Sequence, residues 1–371
     1  MLESIQAVKG RRRTVAGCAS AVAAILIACL ASSARADDPP AAIVEPDDVA
    51  LVSVPTPVGA LRYSPGRGLR VGDTGLAIGG YSNLNLVRDE GQPALLKLDD
   101  LSLFVIWDPV ARLHLFSELE FEDLVQVDGN GWGNPDYQFT IERLYGDVAL
   151  TDAMNVRIGK FLTPVGRWNV IHAQPLVWTT SRPLVTEVPF DPHTTGATIF
   201  GSVFPGAATL SYELYGQATP QLEPSPTSHP ADRSGGGRLD YTAWPGWSLG
   251  ASVLAAEHRG AWRYLGGIDG LYQDDRFEVM GEAVVENGEL PTDALWGLYV
   301  QGVVETLPNL YLVGRYEHWN PWDTGGSSNL FVGGLAFKPF PWLVLKAEYL
   351  AADHPVEESP PGVKASVAIL F

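Results

Sequence analysis

Arg238/Asp240, Arg276/Glu278, Arg315/Glu317 and Lys346/Glu348 repeat one arrangement, opposite charges two residues apart. On a β-strand that spacing puts both members on one face. Enclosed in a wet interior, such pairs either neutralise one another or polarise a passage for charged solutes, as rings of charge do in pores. Both readings stay open at this level. Enzyme chemistry finds less support. There is no H-E-x-x-H, and the one G-x-S-x-G, Gly246-Trp247-Ser248-Leu249-Gly250, leads from a Trp-Pro-Gly turn into an alternating run rather than from a strand into a helix. The seven His (114, 172, 193, 229, 258, 318 and 354) are scattered without metal-ligand spacing. His114 shares a strand face with Glu118 and Glu120, where a hydrogen-bonded imidazole is a simpler reading than a catalytic base. The expectation is therefore no enzyme, no cofactor and no metal.

The elements that carry these charges have period 2. In Leu343-Val344-Leu345-Lys346-Ala347-Glu348-Tyr349, Leu343, Leu345, Ala347 and Tyr349 oppose Lys346 and Glu348. Leu310, Leu312, Gly314 and Tyr316 oppose Arg315 and Glu317, and Leu113, Leu115, Leu119 and Phe121 oppose Glu118, Glu120 and Glu122. Strand spacing separates charge from apolar surface, whereas helical spacing would mix them around one cylinder. Short turns recur at Asp108-Pro109, Thr151-Asp152, Phe204-Pro205-Gly206, Trp244-Pro245-Gly246, Asp274-Asp275, Leu307-Pro308-Asn309 and Pro339-Phe340-Pro341. Longer polar connections lie near 88–95, 126–137, 163–194, 218–234, 257–261, 286–293, 318–328 and 352–361. Seven short turns alternating with eight long loops join about 16 strands. The pattern predicts an all-β fold, a transmembrane antiparallel β-barrel with short periplasmic turns and long extracellular loops. Closure leaves no unpaired edge, which a lipid surrounding demands. Trp107, Trp244, Trp247, Trp342 and Tyr349, near strand ends, suit interfacial girdles.

If the apolar faces meet lipid, the other faces line a lumen. They carry acids at Glu118, Glu120, Glu122, Asp147, Glu213, Asp240, Asp269, Glu278, Glu282, Glu305, Glu317 and Glu348. The bases there are Arg143, Arg157, Arg238, Arg263, Arg276, Arg315, Lys346 and Lys364, so the balance leans towards cations. The longest connection, Thr163 to Thr194, holds Arg167, His172, Trp178, Arg182, Glu187, Asp191 and His193 with five Pro. Long Pro-stiffened loops inside compact folds are usually functional. Two readings compete: a segment folded into the barrel that narrows it, and a surface loop over the outer mouth.

The chain has 371 residues and a formal net charge of -18 without a basic block, which excludes phosphate-backbone binding of nucleic acid. Lys9, Arg11, Arg12 and Arg13 precede an apolar run from Val15 to Leu30, and Ala34-Arg35-Ala36 follows. That is the layout of a cleaved signal peptide over 1–36. A retained anchor and a lipoprotein box at Cys29 are the competing readings. Cys18 and Cys29 both fall in this leader. Residues 37–74, rich in Pro, Asp and Val, read as an extended periplasmic lead segment before a barrel over 75–371.

One stretch carries a family likeness. Ile141 to Asp147, followed by Arg157-Ile158-Gly159-Lys160-Phe161-Leu162-Thr163-Pro164-Val165-Gly166-Arg167-Trp168-Asn169, resembles the phosphate-selective porin O/P type of Gram-negative outer membranes. The likeness rests on Gly159, Lys160, Phe161, Pro164 and Gly166, a strand end entering an in-folded third loop. It implies a 16-stranded outer-membrane barrel, often a homotrimer, in contact with lipid and conducting small solutes or ions. The last strand, with Val363, Ala365, Val367, Ile369 and Phe371 on one face, resembles the signal by which barrel assembly machinery recognises such chains. Phosphate-selective members carry Arg and Lys tracks, whereas this chain has six Lys and a more acidic lumen. The expectation carried forward is the general pore: a water-filled channel for passive diffusion. A substrate-specific channel and a plugged receptor or structural barrel are the alternatives.

Overall fold

The computed structural model describes residues 52–371, apart from 130, 134–136, 223–230, 288–293 and 322–325. The expected signal peptide and residues 37–51 of the lead segment lie outside the described residues.

Three short strands come first: β1 (Val52–Thr56), β2 (Gly59–Ser64) and β3 (Gly68–Val71). Then follow β4 (Leu76–Asp89), β5 (Leu95–Val110), β6 (Leu113–Asp128), the short arm β7 (Gly131–Gly133), β8 (Gln138–Thr151) and β9 (Met154–Leu162). After the longest connection come β10 (His193–Val203), β11 (Thr209–Gln217), β12 (Arg233–Thr242), β13 (Trp247–His258), β14 (Ala261–Gln273) and β15 (Phe277–Asn287). The chain ends with β16 (Ala294–Leu307), β17 (Leu310–Asn320), β18 (Ser328–Phe340), β19 (Leu343–Ala352) and β20 (Gly362–Leu370).

From β4 onward each long strand pairs antiparallel with the next, β6 pairing with β8, and β20 returns to β4 from Gly362↔Asp89 to Leu370↔Tyr81. The result is the closed 16-stranded barrel that the alternation predicts. Beyond Leu370, Phe371 and Gly80 exchange both backbone hydrogen bonds at 2.9 Å, which seats the terminal residue in the ladder. Burial follows the pattern: in β19, Val344, Lys346, Glu348 and Leu350 are buried inside while Leu345, Ala347 and Tyr349 are exposed outside. Trp107, Trp244, Trp247 and Tyr349 are exposed on the outer surface, and Trp342 is half-buried, stacked on Phe340.

Two expectations need correction. The lead segment is not wholly extended: β1, β2 and β3 form an antiparallel meander, and β3 pairs with the first residues of β4 (Leu69↔Ile78 to Val71↔Leu76). Those residues of β4 precede the stretch that pairs with β20, so the meander takes the edge the last strand leaves free. The connection near 257–261 is no long loop either. It is a two-residue turn, with Arg259 at φ 53 and Gly260 at φ 88, the backbone of a tight hairpin.

Gly159 in β9 sits at φ 138, and an added Cβ would lie 2.1 Å from the carbonyl oxygen of Leu144 and 2.7 Å from Cα of Tyr145. Gly159→Val should therefore lower the yield of the compact, heat-modifiable form in unheated electrophoresis. Gly266→Val, where nothing lies within 4 Å of the added carbon, should leave that form unchanged.

Candidate functional site

Between β9 and β10 the chain turns inward. Gly166 permits the turn at φ 65, where an added Cβ would lie 1.9 Å from a carboxylate oxygen of Glu282. The short helix α1 (Trp168–Ile171) and a 3-10 turn at Leu184–Thr186 follow, and strand pairing resumes at His193↔Leu162. The neck is closed by hydrogen bonds. Thr163 N donates to Pro192 O (2.8 Å), Thr163 Oγ1 to Asp191 O (2.7 Å), and the buried Asn169 amide to Thr163 O and Pro192 O (2.8 and 3.0 Å). Trp168, Val177, Leu184 and Val185 pack on Met280, Val284, Leu295, Tyr299, Trp319 and Leu330 of the wall. Such apolar contact packs the segment against inward-facing side chains of the strands.

The charged wall residues then have a definite task. Glu282 accepts the backbone N–H groups of Arg167 (3.0 Å) and Trp168 (2.6 Å) and the Tyr299 hydroxyl (2.9 Å). Glu348 accepts those of Thr180 (3.0 Å) and Ser181 (2.7 Å), and Glu317 that of Leu184 (2.8 Å). Arg315, fully buried, donates to Thr179 Oγ1, Ser181 O, Ser181 Oγ and Glu317. Lys346 Nζ donates to the carbonyls of Gln174 (2.8 Å) and Thr179 (3.1 Å). Arg167 reaches Asp240 at 3.0 Å and Asp269 at 3.2 Å, and Arg238 bridges the same two acids. Carboxylates of the wall cap loop N–H groups, and its cations cap loop carbonyls.

The four repeated pairs accordingly divide. Arg238/Asp240 and Arg315/Glu317 are ion pairs, at 2.7 and 2.8 Å. Lys346 and Glu348 instead each bind the loop. Arg276 is exposed in a turn, while Glu278 accepts the Trp178 indole N–H at 2.8 Å. Glu305 also lies by a turn, accepting Asn309 N.

On the facing wall, Arg143 pairs with the buried Glu118 and lies over Phe116 at 4.6 Å, and Arg157 pairs with Asp147 (2.7 Å) over Tyr145 (3.8 Å). His114 meets Asp108 at 2.7 Å and neither of the glutamates on its face. Between this wall and the loop lies a cavity of about 470 Å³ lined by Tyr81, Asp100, Glu120, Glu122, Glu142, Trp168, His172, Gln174, Arg182, Glu187, Val188, Phe190, Pro192, His193 and Glu358. Arg182 is tied to the loop itself, through Asn169 Oδ1 and Thr186 O at 2.6 Å. Burial, helped by the Arg143 charge, pushes the His172 imidazole down to about 3, so it faces the cavity uncharged at neutral pH. Burial raises the Glu187 and Asp191 carboxyls; Asp191 stays at the neck, accepting His193 N and the Gln221 amide.

Glu142, Asp99 and Asp100 are absent from the alternation reading. In β8 the register slips between Glu118↔Arg143 and Leu119↔Ile141, so Glu142 is an extra residue and joins Arg143 inside. In β5 it slips between Asn83↔Asp100 and Leu84↔Leu98, which leaves Asp99 extra; Asp99 pairs with Lys97 and accepts the Asn85 amide. These are β-bulges, which re-aim a side chain at the expense of one ladder bond. Adjacent charges inside a strand, Asp99-Asp100 and Glu142-Arg143, are the signal that could have revealed them, since one of each would otherwise face outwards.

No protein-family model matches the chain. An uncharacterized protein of Aquifex aeolicus (strain VF5) is 23% identical over 364 residues, covering 80% of each chain. Among solved structures, an anion-selective porin from Comamonas acidovorans is similar with a TM-score of 0.56 at 12% identity, over 80% of this chain and 99% of that one. OmpT, an outer-membrane protein of Vibrio cholerae, gives 0.55 at 11% over 81% and 99%. Salmonella typhi OmpF gives 0.54 at 9% over 81% and 99%. At such identities the likeness is one of fold: this chain has the barrel of the outer-membrane porins.

The grip on the loop is measurable. Glu348→Ala strands the N–H groups of Thr180 and Ser181, at a cost of about 1–3 kcal/mol for each buried donor left unsatisfied. Amide hydrogen exchange over residues 178–186 should accelerate, with strand amides of β13 and β14 unchanged.

Proposed function

We propose that the chain is an outer-membrane porin of a Gram-negative bacterium, a water-filled channel for passive diffusion of small hydrophilic solutes or ions. The observation that carries this reading is the pinned loop. It fills one side of the lumen with apolar contacts and leaves a polar cavity of about 470 Å³ against the opposite wall. A lumen narrowed on one side and wet on the other suits a constriction, and a plug would bring apolar packing to both walls. The proposal assigns the chain no catalytic step. It includes lipid contact on the outer face, recognition of Phe371 by barrel assembly machinery, and association as a homotrimer. Of the likeness to the phosphate-selective porin O/P type it retains the in-folded loop and leaves out the phosphate preference, because the unpaired charges facing the cavity are mostly acidic.

Planar-bilayer recording tests the reading. The purified protein should give stepwise, ohmic conductance in KCl. Deletion of residues 172–190 should raise the single-channel conductance, since it removes most of what narrows the lumen. Absence of steps in the intact protein would favour a plugged barrel, and equal conductance in the deletion variant would sink the constriction role.

A further inference from the structure

A smaller cavity, of about 170 Å³, lies beside the short turn that joins β14 to β15 and shares Trp168 with the larger one. The wall supplies two ladder pairs with inward side chains, Leu271 opposite Met280 and Gln273 opposite Glu278. The in-folded segment adds Trp168, Ile171, Leu176 and Trp178. Leu176 is 53% exposed and Ile171 36%, although the lumen around them is lined with charge. An apolar cluster left open inside a polar passage marks a place of contact.

The polar groups at this pocket are few and held in place. The Trp178 indole N–H takes one oxygen of Glu278 at 2.8 Å and leaves the other, while Lys338 Nζ stands over the indole ring at 3.4 Å. Arg167 also lines the pocket; its Nη2 holds Asp240, Ser248 and Asp269. The Nε–H of Arg167 has no hydrogen-bond partner among the described residues, which leaves a donor for a group that the protein does not supply. The volume is close to the roughly 150 Å³ at which an apolar cavity takes up benzene. A ring acid would meet the Glu278 carboxylate, and a ring bearing an ammonium would meet the Arg167 guanidinium. A hydroxyl is neutral and both donates and accepts.

We propose that this pocket binds neutral monocyclic phenols, with the ring against Leu176 and the Leu271–Met280 pair and the hydroxyl donating to Glu278 and accepting from Arg167. A flat ring suits the two indoles, which gain from offset or edge contact with another aromatic. The hydroxyl meets both polar groups without bringing a charge into the pocket. The inference rests on the pore reading and names a solute class for it.

Phenol is the probe, used on the full protein in two ways. In planar bilayers in KCl, millimolar phenol should reduce the single-channel current, and benzoate at the same concentration should reduce it less. In detergent, saturation-transfer NMR should show magnetisation passing from the protein to the phenol ring. Leu176→Asp should weaken both effects by roughly tenfold, the scale of one apolar contact in a binding pocket. Val170→Asp alters an apolar residue of the same segment that is 40% exposed and does not line the pocket, and it should weaken neither. Unheated electrophoresis confirms that each variant is folded. Effects equal in the two variants, absent in the intact protein, or stronger with benzoate would overturn the inference while a conducting pore stood. Transfer to phenol that Leu176→Asp abolishes, in a protein without conductance, would support the site and overturn the pore reading. Neither transfer nor conductance would remove both.

Discussion

Closure of the sheet between β20 and β4 is the constraint on which the rest depends. Every one of the 16 barrel strands then has two neighbours, and the barrel has no open edge to be satisfied by solvent. Once the ladder is continuous, each side chain faces either the interior or the outside, and its neighbour in sequence faces the other way. Lys346 and Glu348 are inside because Leu345, Ala347 and Tyr349 are outside. Breaking the alternation requires a bulge, and two bulges on nearby strands are what bring Asp99 and Glu142 into the lumen.

The interior charges divide between two tasks. On one wall Glu282, Glu317, Glu348, Arg315 and Lys346 are spent on the backbone of the in-folded segment, which has almost no regular secondary structure to satisfy its own N–H and C=O groups. Burying irregular backbone is costly unless such partners exist. On the other wall Asp100, Glu120 and Glu122 line the cavity without an ion pair among the described residues. Apolar contacts of Trp168, Leu184 and Val185 make the first arrangement stable, and so fix the width of the second.

The architecture was largely legible in the sequence, because strand alternation and turn chemistry are local. The β17 and β19 faces, the 16 strands and six of the seven short turns follow from patterns a few residues long, while Asp108-Pro109 lies inside β5 and the chain turns at residues 111–112. The third long loop stood out by its length and Pro content, which left open whether it enters the barrel or covers its mouth. Less legible were the β1 to β3 meander, whose Pro, Asp and Val resemble a loose linker until β4 offers it an edge, and the Arg259-Gly260 turn, hidden in a polar stretch.

Within the site, sequence placed Arg238, Asp240, Arg315, Glu317, Lys346 and Glu348 on inward faces, and the structure agrees. It could not say which of them touch each other. Spacing on one strand is a local property, whereas Glu348 meets Thr180 and Ser181 at a separation of well over a hundred residues. The sequence by itself determined the barrel and the two chemistries of its faces. Only the tertiary structure decided which charges hold the 163–194 segment and which line the cavity, because hydrogen-bond partners across a lumen and the slips of register that bulges introduce exist only once the sheet has closed.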